Sequence, residues 1–590
     1  MNTFVEYLNS TNNASGNSTG SLAESQVKSV YFDKVKVDRK LGRYIADTVK
    51  NHKYHAFILT GHAGDGKTSV LVQVLKELHL LNNGESLEQV KDYQEFFYVK
   101  DMSEIAEEQQ VKILEQALSA PEKNKTSLLI SNTGPLINSF MKLAARNRKQ
   151  EGLLFENEER ISLQSKLLTQ LDSNADKEIS VEGYSFYLVN IARVDNVVFS
   201  AEIYKKIIST DLWDKCNQCA CVDRCPIHNN VILANAQKDR ISRFIGSYYR
   251  YLYENDKRMT IRQMVGQISY GITGNLTCDY VANHFLKEPF FNYNFANLFF
   301  GYIGLNEGRY SSQIKGISQL KLLGLDHIAL DIDYKLFVNN DYGAFFTNEV
   351  AAILYELKLK HRKHYQISDE DSVLSPSERE IEAKLRRAVR RFYLVYSSDL
   401  NEESIFNQIF GTHFALYEKL ITSKQSKSVL RKIQTLVFCA LYMKNTGFLP
   451  DNTNDLPLTL RRENSVFQNV MLVLGSLSKS ELNIIQKPVS NLFEDTESKQ
   501  ELYLEVHSQR FLLTLPMLTY FDDLVKGSIS SNNNPALTHG IAKLDTLLLE
   551  EFGDERPESE DDCELTLLIN TTNGQKIRRF AFDGNKLSIV

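Results

Sequence analysis

The sequence predicts an α/β fold, a parallel sheet covered by helices, with a Cys-rich knuckle and a large, mainly α-helical C-terminal region. Three observations predict it. Short apolar runs alternate with longer amphipathic ones from Tyr31 to about Ile191. Four of the seven cysteines crowd between Cys216 and Cys225, and from about Ala234 to Lys543 long amphipathic stretches dominate while strand signals are scarce. Strands alternating with helices need a sheet buried on both faces, because each crossover lays a helix on one of them.

Taken in order, residues 1–25 read as a flexible tail, rich in Asn, Ser, Thr and Gly over 9–22. Residues 26–205 form the core. Its strand candidates are Ala56–Leu59, Phe96–Val99, Ser127–Ser131 and Phe186–Ile191. Val70, Leu71, Val74, Leu75 and Leu78 recur at helical spacing, and a second helix is expected over Ser103–Leu118. Residues 206–233 form the knuckle, 234–310 a helical lid, and 311–550 the helical C-terminal region. Arg240–Tyr253, Thr347–His361, Ser377–Val395 and Ser428–Met443 are the clearest helices of these last two. Residues 551–590 read as an acidic loop, Asp554–Asp562, and a hairpin of Glu564–Ile569 with Ile577–Phe582, turned near Asn573-Gly574.

Whole-chain numbers bound the function. A length of 590 residues allows roughly three to five domains. Apolar residues at 43% and charged residues at 24% describe a folded chain with a substantial core. A net charge of −6 excludes a generally basic nucleic-acid binder, so any such contact needs a local patch or a partner subunit. The N-terminus lacks the charged and apolar regions of a signal peptide, and no run of about 18 apolar residues appears. The expectation is a cytoplasmic protein with no membrane contact, in which clustered cysteines bind metal rather than form disulfides. Cys278, Cys439 and Cys563 are expected to be isolated and inert.

The strongest motif is Gly61-His62-Ala63-Gly64-Asp65-Gly66-Lys67-Thr68-Ser69, a full match to G-x4-G-K-[ST] between a strand and a helix. Glycines let the backbone curl so that successive N–H groups meet phosphate oxygens, and the following helix adds its positive end. Lys67 is expected on the β- and γ-phosphates and Thr68 on Mg²⁺, making ATP with Mg²⁺ the expected ligand. Two layouts complete the site. Either Asp101, at the end of the second strand with Glu104 nearby, is the metal-side acid and Asn132 senses the γ-phosphate, or Asn132 replaces the acid and hydrolysis is slow. Asp101 and Ser103 as simple helix caps are the alternative. Arg262, opening a lid helix that runs to about Ile272, could stabilise transition-state charge, or lie on the surface.

Cys216, Cys219, Cys221, Cys225 and His228 offer five candidate ligands within 13 residues. A tetrahedral structural Zn²⁺ is the leading reading, with an iron–sulfur cluster or unmetallated thiols as alternatives. Arg386, Arg387, Arg390 and Arg391 recur along one helix, where they could grip phosphates or pair with Glu378, Glu380 and Glu382.

Several of these pieces, in this order, resemble the ATPase component of DNA phosphorothioation-dependent restriction, the DptF family. They are Gly64-Asp65-Gly66-Lys67, Lys100-Asp101-Met102-Ser103-Glu104, Leu129 through Leu136, the Cys-x-x-Cys…Cys-Pro-Ile-x-Asn stretch at 216–229, and Asn292-Tyr293-Asn294 through Asn297-Leu298-Phe299-Phe300. The family favours an Asn-Asp-Ala-Thr-Glu-like run after the second strand and Ile-Asn-Leu-Gly after the third. This chain has Lys100–Glu104 and Ser131-Asn132-Thr133-Gly134 there, which leaves a sister group of bacterial defence ATPases open. The resemblance implies an AAA-like P-loop NTPase core and ATP-driven work in a bacterial antiviral complex restricting DNA that lacks phosphorothioate marks. It also implies companion subunits, DNA reached through the assembled complex, and room for a homo-oligomer. The other function reading is a signalling or scaffold ATPase whose nucleotide state gates assembly without acting on DNA.

Overall fold

The computed structural model describes residues 1–12, 29–82, 85–173, 176–284, 291–309, 311–364, 374–398, 402–460, 469–489, 491–496, 499–528, 535–553, 563–571, 574–582 and 587–589. The protein is mixed α/β, and the chain divides into two compact units. One comprises Met1–Glu402 with Ser490–Thr496, the other Glu403–Val489 with Glu497–Val590. Among the described residues no helix is long and apolar enough to cross a membrane.

The first unit is built on a six-stranded sheet of β1 (Ala56–Thr60), β2 (Val90–Asp92), β3 (Phe96–Val99), β4 (Thr126–Ile130), β5 (Ile179–Val181) and β6 (Tyr184–Asn190). Their order is β2-β3-β4-β1-β6-β5. The central four run parallel, with Phe57 beside both Leu128 and Tyr187 and Tyr98 beside Leu128, while β2 and β5 are antiparallel edges. Alternation in β1 divides the core in two. Phe57 and Leu59 face helices Lys40–Lys50 and Lys67–Glu77, while Ala56 and Ile58 face Glu107–Leu118, Thr133–Gln150 and Asn157–Ser173. All four strand candidates are present. The helix expected from Ser103 starts at Glu107, because Met102–Glu104 first form a single 3₁₀ turn.

Several expectations are corrected. The tail is not wholly flexible: Thr3–Asn12 is a helix with Phe4, Val5 and Leu8 buried. It packs on helix Ile261–Thr273, where a Cβ at Gly266 would stand 3.2 Å from the Thr11 carbonyl oxygen. Residues 13–25 lie outside the described residues. The arginine run does not present one free basic face. Arg391 is 1% exposed, bonded to Asp326 Oδ2 at 2.8 Å and Asn297 Oδ1 at 3.1 Å, with its guanidinium 4.0 Å from the Tyr302 ring centroid. Arg390 pairs with Asp333 at 2.6 Å, and Arg386 lies over Phe337. The asparagines of 292–300 are likewise structural. Asn294 caps Phe295–Phe299 and accepts from the Tyr396 hydroxyl, and Asn297 is fully buried.

The second unit departs furthest from the expected helical region. Strands Asp455–Leu460 and Val470–Ser478 join the C-terminal hairpin, Cys563–Thr571 with Gly574–Phe582, and strand Leu587–Ile589 in a five-stranded antiparallel sheet. Asn483–Pro488, Gln500–Val506 and Gln509–Leu512 make a second, three-stranded sheet. Leu502, Leu504 and Val506 are buried at every second position, a period of two that the sequence carries. The hairpin is as expected from Cys563 to Phe582, with Asn573 and the acidic stretch 554–562 outside the described residues.

Arg391→Ala leaves Asp326 buried without its cation and is expected to cost about 3–5 kcal/mol of stability. Urea denaturation measures it, with the exposed Arg386→Ala changing stability by only about 0.5 kcal/mol or less.

Candidate functional site

The glycine-rich loop sits where β1 ends and helix Lys67–Glu77 begins. Gly61, Gly64 and Gly66 have φ of +144°, +92° and +94°, a backbone that side chains rarely adopt. Space forbids a Cβ at two of them. At Gly64 it would stand 2.9 Å from Thr260 Oγ1, and at Gly61 2.6 Å from Ile191 Cγ2. Lys67 is buried and folded back on its own loop, donating to the carbonyls of Gly61 at 2.5 Å and His62 at 3.2 Å. Burial lowers the pKa of its ammonium and Arg262 lowers it further, while Asp101 and Asp65 oppose the shift. Lys67, Asp65, Asp101 and Arg262 therefore share one electrostatic neighbourhood. Thr68 and Ser69 follow in the first helical turn, half-buried.

Asp65 is tied into the protein on both sides. Its side chain is buried, Oδ2 accepting the His62 N–H at 2.9 Å while Oδ1 faces Arg258 Nη1 at 3.1 Å. The Arg258 Nη2 donates to the Ile191 carbonyl beyond β6 at 3.3 Å. On the backbone side, Arg39 Nη1 donates to the Asp65 carbonyl at 3.4 Å. Arg39 is 2% exposed and donates through Nε and Nη2 to Asp495 Oδ2 at 3.1 and 3.0 Å, while Asp495 Oδ1 accepts the Lys40 N–H and so caps helix Lys40–Lys50. Phe493, fully buried against Tyr44 and Tyr187, anchors the same stretch. Neither Arg258 nor Asp495 was singled out in the sequence. A lone arginine and an aspartate more than 400 positions along the chain carry no local signal.

Strand order bears on the two layouts. β4 lies between β1 and β3, so Asn132 follows the strand beside the loop and Asp101 the strand beyond it. Asp101 caps the next turn, its Oδ1 accepting the Ser103 N–H at 2.9 Å, yet its charge still acts on Lys67. The Asn132 N–H is tied to Ser103 Oγ at 3.2 Å, which links the two strand ends. Glu104 turns aside to Lys100, 4.0 Å away. Arg262 begins helix Ile261–Thr273, whose N-terminus is closed by a capping box of Thr260 and Gln263. The Arg262 N–H donates to the Gly64 carbonyl at 3.3 Å, and burial lowers its pKa, so it is no free surface arginine.

The knuckle is arranged differently from its expected form. His228 is buried with Nε2 3.1 Å from Asn217 Oδ1, and Cys221 receives Arg224 Nη2 at 3.4 Å. Cys278, expected to be isolated, acts electrostatically on both Cys216 and Cys225. Asn2 connects Cys216 and Cys278, donating through Nδ2 to the Cys216 sulfur at 3.4 Å while its carbonyl faces the Cys278 thiol at 3.9 Å. Burial pushes the Cys225 thiol up to about 11. Among the described residues no group of three or more His, Cys, Asp or Glu side chains is gathered as a metal site. The five candidate ligands do not fit one ion as they stand.

No protein-family model matches the chain, and comparison with curated proteins and with solved structures also finds no match.

Gly64→Ala forces a side chain into a φ of +92° against Thr260 and is expected to cost on the order of 1–3 kcal/mol. A lowered melting temperature measures it, while Gly134→Ala, with open space at its Cβ position, leaves that temperature nearly unchanged.

Proposed function

We propose that the first unit is an AAA-like P-loop NTPase core that binds ATP with Mg²⁺ and hydrolyses it. The supporting observation is the loop itself. Three glycines of positive φ carry the chain into a helix whose first residue, Lys67, is a buried ammonium that, among the described residues, donates to loop carbonyls alone. A triphosphate offers that ammonium charged oxygens in their place, and the backbone N–H groups and helix end add to the attraction. Thr68 would hold Mg²⁺, Asp101 the metal side of the site, and Asn132 the γ-phosphate. Arg262 would meet the charge that develops during transfer.

Within that class, the order of motifs favours the ATPase subunit of a bacterial DNA-restricting defence complex of the DptF kind. Such a subunit acts with companion proteins on DNA lacking phosphorothioate marks. The nucleotide-gated scaffold is the second reading. It draws on the buried links that join the loop to helix Ile261–Thr273 and to residues 491–496. Structural zinc belongs to the proposal only through Cys216, Cys219 and Cys225, with Cys278 beside them. Those thiols would have to turn toward a common point.

Titration calorimetry with a slowly hydrolysed Mg·ATP analogue is expected to show binding that Lys67→Ala abolishes. Absence of heat in the intact protein overturns the reading. Asp101→Asn is expected to retain nucleotide but lose about 10²–10³ in turnover, and Arg262→Ala to lose on the order of 10². Turnover unchanged in Arg262→Ala would remove that residue from the site. Turnover raised by duplex DNA favours the restriction reading, and a flat response with nucleotide-dependent assembly favours the scaffold.

A further inference from the structure

The second unit contains a groove of about 810 Å³ whose charge is one-sided. Lys424, Lys427, Arg431 and Lys479 line it, together with hydroxyl and amide side chains, and no carboxylate is among its lining residues. Other cations of the second unit are answered by acids, as Lys419 is by Glu403 and Lys444 by Asp545. Among the described residues none of these four has an ion-pair partner, and the Lys479 ammonium stands 5.5 Å from the Phe438 ring centroid. Lys424, Lys427 and Arg431 are exposed.

The wall is rigid where it needs to be. Gln434 donates to the carbonyls of Lys479 at 3.0 Å and Leu482 at 2.8 Å, which ties the long helix Lys427–Thr446 to the turn carrying Lys479. Gln486 accepts the Gln425 N–H at 2.7 Å and donates to the Leu420 carbonyl at 2.6 Å, fixing the chain that enters the helix. Ser426, at the N-cap, makes no side-chain cap, so the helix starts at the groove wall with its positive end uncapped by a side chain. Like charges held together without counterions are unfavourable for the isolated fold, and an anion entering the groove relieves them.

We infer that this groove binds the phosphodiester backbone of a nucleic acid. Lysine and arginine mixed with Ser, Asn and Gln donors is the chemistry of phosphate contacts, which position a duplex without reading its sequence. An acidic protein surface fits less well, because protein interfaces favour aromatic side chains and exclude lysine, and this groove has three lysines and no aromatic lining residue. The inference is independent of the nucleotide site.

Fluorescence anisotropy of the full chain with labelled duplex DNA, single-stranded DNA and duplex RNA tests it and shows which backbone form is preferred. Lys424→Glu/Lys427→Glu/Arg431→Glu is expected to weaken binding at least about tenfold and to flatten the dependence of log affinity on log salt by about three. Lys432→Glu, an exposed change on the same helix outside the groove, is expected to bind as the parent does, and circular dichroism checks that the triple variant is folded. Lys67→Ala is also expected to bind nucleic acid normally, so loss of ATP binding and loss of this inference are separate outcomes. No binding to any of the three nucleic acids overturns it, as does equal binding by the triple variant. Tighter binding of polyglutamate than of DNA at the same salt overturns it in favour of an acidic protein partner.

Discussion

Asp65 is the fixed point of the first unit. It lies inside the glycine-rich loop, and both ends of its residue are held by arginines, the carboxylate by the half-buried Arg258 and the carbonyl by the buried Arg39. A loop of glycines is soft, because such residues lose much conformational freedom on ordering. Its shape must therefore be imposed from outside, and these arginines impose it. Arg258 brings the start of helix Ile261–Thr273 against Gly64, and Arg39 brings residues 491–496 behind the loop through Asp495. Breaking one partner of such a pair is costly since it strands the other charge in a low-dielectric interior.

The same contacts explain why the loop was easy to recognise and its supports were not. A glycine-rich turn is made by contiguous backbone, so Gly61, Gly64 and Gly66 mark it within six residues. The parallel sheet was legible for a similar reason, since Ala56–Leu59 and Leu128–Ile130 are continuous apolar runs in strands buried at every position. Asp495 was not legible. Its partner Arg39 stands 456 positions away, and no periodicity spans that distance. The choice between Asp101 and Asn132 depended on strand order, which local pattern does not encode. With β4 between β1 and β3, Asp101 and Asn132 follow adjacent parallel strands at the same end of the sheet.

The second unit shows the opposite failure. Val470–Leu474 reads as an unbroken apolar stretch that could belong to a helix, because its partly buried positions Leu472 and Leu474 are also apolar. Gln500–Val506 alternates cleanly, but it follows long amphipathic segments whose helical period dominates the composition. Charge was misleading in both directions. The most conspicuous basic run, Arg386–Arg391, is spent on Asp326, Asp333 and aromatic rings inside the first unit. Lys424, Lys427, Arg431 and Lys479 are spread over more than 50 positions and converge only through the fold.

Electrostatics also orders the events that nucleotide binding would entail. Asp65 pairs with Arg258 behind the loop, while Asp101 and Asp65 both act on the Lys67 ammonium against Arg262. Burial lowers the pKa of both cations, so each carries a charge the protein interior does not fully compensate. A polyanion entering beside them stabilises both, and Lys67 must exchange the carbonyls of Gly61 and His62 for phosphate oxygens to meet it. Releasing those carbonyls loosens the segment next to Asp65, where Arg39 and Arg258 converge. The first movement after binding would then be felt by helix Ile261–Thr273 and by residues 491–496 together, because one residue holds them both.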